Sequence, residues 1–163
     1  MKKYFGILLL GVFLINSCEK DDFCTTTPVT PNLVIRFYDK DDITTKKSVS
    51  RLSVIAQSKT DSLMTDQTLD SIAIPLNGEA SETIYIFKMN DQDGKLHSNK
   101  TATLTINYSA QEDYVSRSCG YRYIFKNVAI SIDPSNNDWI SSISNNSISE
   151  ISNQIQSHVQ IFH

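Results

Sequence analysis

The chain has only five glycines and four prolines in 163 residues, and neither a glycine-rich phosphate loop nor a dinucleotide fingerprint occurs among them, which removes nucleotide chemistry. His97, His158 and His163 have no metal-ligand spacing, and the three cysteines contain no C-x-x-C, so neither a zinc site nor a thioredoxin-like exchange role is expected. Serines are abundant, but no G-x-S-x-G elbow presents one as a nucleophile. A calcium loop at Asp91-Gln92-Asp93-Gly94 fails as well. With Gly94 at the glycine position of that template, Met89 and Lys100 fall where the first aspartate and the last glutamate should be, so the stretch reads as a hairpin turn.

Long apolar runs are also missing. The longest extends from Tyr4 to Ile15 behind Lys2 and Lys3. As a helix it would measure about 18 Å, short of the roughly 30 Å hydrocarbon layer, so it reads as a targeting segment and not a span. The next residues, Ile15-Asn16-Ser17-Cys18, resemble the lipobox of bacterial lipoproteins. That resemblance implies cleavage after Ser17 and lipidation of Cys18, whose acyl chains together hold a protein on a bilayer almost permanently. Glu19-Lys20-Asp21-Asp22 resembles the surface-export signal of Bacteroidota lipoproteins, which favours display on the outer surface of the outer membrane over its periplasmic face. The expected division is a signal peptide over 1–17, a lipidated tether and extended lead-in over 18–31, and a folded domain over 32–163.

Loss of Lys2 and Lys3 with the signal leaves 13 basic against 18 acidic side chains. A net charge of −5 does not suit nucleic acid, whose phosphates need a concentrated positive field. With Cys18 committed to lipid, Cys24 and Cys119 remain in an oxidising compartment, where the only intramolecular pairing joins them; free thiols are the alternative.

In the mature chain the pattern has period two. Leu33–Tyr38, Val49–Ala56, Asp70–Leu76 and Glu82–Met89 read as strands, Asp70–Leu76 with Ile72 and Ile74 inward and Pro75 at its close or on an edge, Glu82–Met89 as a central one because both its faces are apolar. Thr101–Tyr108 alternates cleanly, with Leu104, Ile106 and Tyr108 on one face. Tyr121–Ile132 follows, ended by Asp133-Pro134-Ser135-Asn136, and Val159–Phe162 closes the chain. Ile143, Ile148, Ile151 and Ile155 lie three to five apart, but their β-branching and the surrounding serines and asparagines make poor helix. Seven or eight short strands without helical periodicity predict an all-β fold, a single β-sandwich with an immunoglobulin-like arrangement, against a small closed barrel.

The segments CEKDD at 18–22, Cys24-Thr-Thr-Thr-Pro28, Pro31-Asn-Leu-Val-Ile-Arg-Phe-Tyr38, Asp70-Ser-Ile-Ala-Ile-Pro-Leu76 and Val115-Ser-Arg-Ser-Cys119-Gly120 resemble the DUF6452 family of Bacteroidota lipoproteins. In that family a cysteine near the start and one in the Cys-Gly segment recur, matching Cys24 and Cys119. The family implies no activity.

Three functions are weighed. The first is a non-catalytic envelope protein that docks on a partner protein. The second is a module for glycan or peptide, which would use Tyr121, Tyr123 or Trp139 as ligand-facing rings. The third is a small hydrolase, which needs carboxylates or a Ser-His pair converging in a pocket. No catalytic residue, metal or cofactor is assigned.

Overall fold

A computed structural model describes Cys24, residues 29–90 and residues 99–163. The signal, Cys18 and most of the lead-in lie outside the described residues, as does the turn expected at 91–94. The chain divides into two compact units, one of Val29–Asp113 with Tyr123–His163, the other of Met1–Pro28 with Tyr114–Arg122.

The described residues form ten strands and no helix: β1 (Leu33–Tyr38), β2 (Val49–Ala56), β3 (Ser62–Leu69), β4 (Ser71–Ile74), β5 (Glu82–Met89), β6 (Lys100–Ser116), β7 (Gly120–Asn137), β8 (Ser142–Ser144), β9 (Ser147–Ile151) and β10 (Val159–Phe162). They make a four-stranded sheet, β4-β1-β10-β8, and a six-stranded sheet, β3-β2-β5-β6-β7-β9. Two sheets that each keep two edge strands form a sandwich, so the closed barrel does not arise.

In the four-stranded sheet β1 runs parallel to β10, with Ile35 beside Val159 and Phe37 beside Ile161, and antiparallel to β4, with Leu33 opposite Ile74 and Ile35 opposite Ile72. Leu33, Ile35 and Phe37 are fully buried and alternate with half-buried Val34, Arg36 and Tyr38, because successive side chains of a strand point to opposite faces. The six-stranded sheet adds Leu52, Val54, Phe87, Leu104, Ile106 and Phe125 to the same core. As expected, β5 is central, between β2 and β6, with Tyr85 and Phe87 inward.

Three of the ten strands are not legible in the sequence. β3 (SLMTDQTL) is a polar edge strand whose side chains are mostly exposed, so no alternation announces it. β8 and β9 turn the isoleucines near 143–151 into two short strands, with Asn145 at φ +54 between them.

Alternation also breaks inside strands. Val49 and Leu52 are both buried three residues apart because Arg51 occupies a bulge at φ +49, and the register of β2 against β3 shifts there. On β3, Asp66 has φ +51, and its carboxylate takes the Arg51 guanidinium as a fork, Nε to Oδ1 and Nη2 to Oδ2, each at 2.8 Å. Asn127, at φ +52, makes the same three-residue step between buried Phe125 and Val128.

The expected stop at Asp133-Pro134 does not occur, since β7 continues to Asn137. β9 covers β7 only from Phe125 to Ala129, so the stretch around Pro134 is flanked on one side alone. Proline is tolerated at such an edge, where its missing N–H breaks no ladder. The Asp133 carboxylate accepts from the Ser135 N–H and hydroxyl, bonds that hold its pKa below the usual aspartate value.

Candidate functional site

Of the smaller unit, Cys24 and Tyr114–Arg122 are described. Cys24 and Cys119 are joined in a disulfide across 95 positions of sequence, with their Cα atoms 4.9 Å apart. β6 turns into β7 through Arg117-Ser118-Cys119 and closes on Gly120 at φ +74. Three-residue hairpin connections use a left-handed residue in this way, and glycine adopts it without steric cost. The Cys119 N–H donates to Ser116 Oγ at 3.0 Å, and the Ser116 and Ser118 hydroxyls meet at 3.3 Å.

Flanking this turn, the rings of Tyr114 and Tyr121 meet edge to face with centroids 5.3 Å apart. They are 59% and 64% exposed. An exposed aromatic pair on a cross-linked turn offers apolar area at little entropic cost, because the covalent bridge and the ring contact already restrain it.

The other two aromatic candidates have structural work in the larger unit. The Tyr123 ring lies directly over Gly78, where any Cβ would collide with it, and the Tyr123 N–H donates to Thr30 Oγ1 at 3.1 Å. Trp139 is half-buried, its ring 6.2 Å from that of Phe37 and 5.5 Å, edge to face, from His163. Its indole N–H is buried without a hydrogen-bond partner among the described residues.

The described histidines use their ring nitrogens on main-chain groups. His158 Nδ1 accepts from the Val34 N–H at 2.9 Å, and Nε2 donates to the Asn153 carbonyl at 2.9 Å. His163 Nε2 lies 3.3 Å from the Lys47 carbonyl. Burial depresses both imidazole pKa values, and the carbonyl partners oppose that shift in part. His97 lies outside the described residues.

Two tyrosines of the larger unit stitch down the passage from β4 to β5. Tyr85 OH donates to the Pro75 carbonyl at 2.6 Å, and Tyr108 OH donates to the Asn77 carbonyl at 2.9 Å while accepting from the Asn77 N–H at 3.0 Å. Burial, with Tyr108 adding to it, pushes the Tyr85 phenol up to about 12. Both hydroxyls are thus held on main-chain groups of the β4–β5 passage. Asp42, in the loop after β1, has its carboxylate taken by the hydroxyls of Thr44 and Thr45 and by the Thr44 N–H, which hold its pKa down. No group of three His, Cys, Asp or Glu placed to hold a metal ion occurs among the described residues.

The model of a family of unknown function, DUF6452, matches residues 51–163, most of the chain and all of the structure from Arg51 in β2 onward. The chain belongs to the DUF6452 family. No curated protein and no solved structure matches it. Cys119, Gly120 and the Tyr114–Tyr121 pair lie within the stretch that matches DUF6452, whereas Cys24 precedes it. The aromatic pair is half legible in the sequence, which points to Tyr121 and not to Tyr114. Pairing across the hairpin is what selects Tyr114.

Proposed function

We propose that this DUF6452 protein is a membrane-anchored lipoprotein that acts without catalysis, docking through the Tyr114–Tyr121 face on a partner protein of the cell envelope. The lipobox-like Ile15-Asn16-Ser17-Cys18 supports the anchor, with 1–17 removed, 18–31 as tether and the remainder as folded domain. The charged Glu19–Asp22 segment favours the outer surface of an outer membrane.

The observation that carries the docking reading is the exposed tyrosine pair beside the Cys24–Cys119 bridge. Tyrosine is enriched at interface hot spots because a rigid ring gives large contact area for two lost rotations. The hydrolase reading finds no support in the described histidines, whose placed ring nitrogens meet main-chain atoms.

A photo-crosslinking amino acid in place of Tyr121, introduced in cells that express the full chain, tests the proposal. One discrete adduct, lost on Tyr114→Ala and absent when the crosslinker replaces exposed Ile155, is the expected result. Equal, diffuse labelling from both positions overturns it.

A further inference from the structure

The larger unit contains an open groove of about 590 Å³ whose wall is cationic although the chain as a whole carries a net charge of −3. Three ammonium groups line it, Lys40 and Lys47 from the loop between β1 and β2 and Lys100 from the start of β6, together with Trp139, His163 and Asn137. Among the described residues of the lining the one acidic side chain is Asp138, already engaged by the Thr101 N–H at 3.0 Å and the Thr101 hydroxyl at 3.2 Å. Lys47 reaches Asp39 at 3.1 Å and Lys40 reaches Asp41 at 3.8 Å, but neither aspartate lines the groove. Lys100 makes no ion pair among the described residues.

The walls are built in advance of any ligand. Lys47 Nζ donates to the His163 carbonyl at 2.9 Å, the Lys40 N–H donates to the same carbonyl at 3.3 Å, and the His163 N–H donates to the Tyr38 carbonyl at 3.1 Å. Lys100 is placed by its pairing with Met89 across β5 and β6. The turn that carries Trp139 is fixed by Asn137, whose side-chain amide bonds both the N–H and the carbonyl of Ile140. A groove of this volume with a few convergent polar groups matches the scale of small-molecule sites.

We infer that this groove binds an acidic saccharide, a sugar ring lying against Trp139 with its carboxylate or phosphate met by Lys100 and Lys40. An indole edge or face suits the C–H groups of a pyranose, the amide and hydroxyl groups of the lining suit its hydroxyls, and ammonium groups act as point charges for an anion without demanding one fixed geometry. The inference is independent of the docking face, since it uses different residues.

Trp139 is the sole tryptophan, so intrinsic tryptophan emission reports on this wall alone. The full chain is titrated with trigalacturonate and with glucose 6-phosphate, with neutral maltotriose and inorganic phosphate as controls. The expected result is a saturable change in emission with at least one acidic sugar. Its affinity falls at least tenfold in a Lys40→Gln/Lys100→Gln double variant that melts at the wild-type temperature, and it weakens in high salt. No saturable change with either acidic sugar, an unaltered affinity in the double variant, or binding of inorganic phosphate as tight as that of the sugar would overturn the assignment.

Discussion

The imidazole of His158 stands in for a main-chain carbonyl opposite Val34: Nδ1 accepts the Val34 N–H at 2.9 Å while the His158 N–H donates to the Val34 carbonyl at 2.8 Å. The pair extends the parallel ladder of β1 and β10 by one step beyond Ile35 and Val159. It also sets the tautomer, because Nε2 donates to Asn153. A proton on Nδ1 would leave the Val34 N–H facing another donor.

Stability should therefore fall in mild acid. The folded-state pKa of His158 lies below its ordinary value of 6.5, chiefly through burial, so the unfolded chain takes up the proton first. The contribution is complete above about pH 6.5 and declines as pH drops from there toward the folded-state value. His163 shifts in the same direction for the same leading reason. Titration of the two ring Cε1–H signals by NMR should give both values below the ordinary one, and His158→Gln should flatten the pH dependence of the melting temperature between pH 7 and pH 5. An unshifted His158 signal would refute the account.

Reduction of the Cys24–Cys119 bridge should destabilise the chain substantially. For a loop of 95 residues the loop-entropy relation gives roughly 4 to 5 kcal/mol as an upper figure. Cys24→Ser should lower the melting temperature as far as reduction lowers that of the wild type. A melting curve indifferent to reductant would mean that the bridge stabilises nothing.

Gly78→Ala should be costly for a reason particular to Tyr123. The added methyl falls within the Tyr123 ring, and overpacking of this kind costs about 1–3 kcal/mol. In a Tyr123→Ala background most of that cost should vanish, so denaturant melts of the two single variants and the double variant should show strong coupling. Additive effects would locate the strain elsewhere. Gly120→Ala is limited differently, since nothing among the described residues lies near its missing Cβ and the left-handed backbone at φ +74 opposes the change, at about 1–2 kcal/mol.

Tyr108→Phe should cost about 1–3 kcal/mol while leaving the fold intact, because the hydroxyl bonds both main-chain groups of Asn77 and the ring still packs edge to face on Phe125 at 5.1 Å. Urea melts of the variant would measure this. A loss below a few tenths of a kcal/mol would show that water replaces the hydroxyl.

Cys18→Ala should abolish labelling by an alkyne fatty acid and release the chain from membrane pellets. Persistent labelling would mean that Cys18 is not the acylated residue.

Much of the sandwich was legible from composition and period. The first half of β6 buries one face, so hydrophobicity alternates along it and predicts both its existence and its inward residues Leu104, Ile106 and Tyr108, whereas the apolar runs of β1, β5 and β10 announce those strands without saying which face turns inward. If the lipobox-like context assigns Cys18 to lipid, counting leaves Cys24 and Cys119 one intramolecular pairing against free thiols, and the structure joins them. What stayed hidden depends on partners distant in sequence. β3 is a strand because β2 offers it a ladder and a guanidinium, and its own residues record neither. Pro134 sits inside β7 because β9 ends too soon to need its N–H. Likewise, which of several tyrosines packs on Gly78 and which two stand exposed as a pair was decided by strand register, and a local alternation pattern carries no information on what a strand will lie beside.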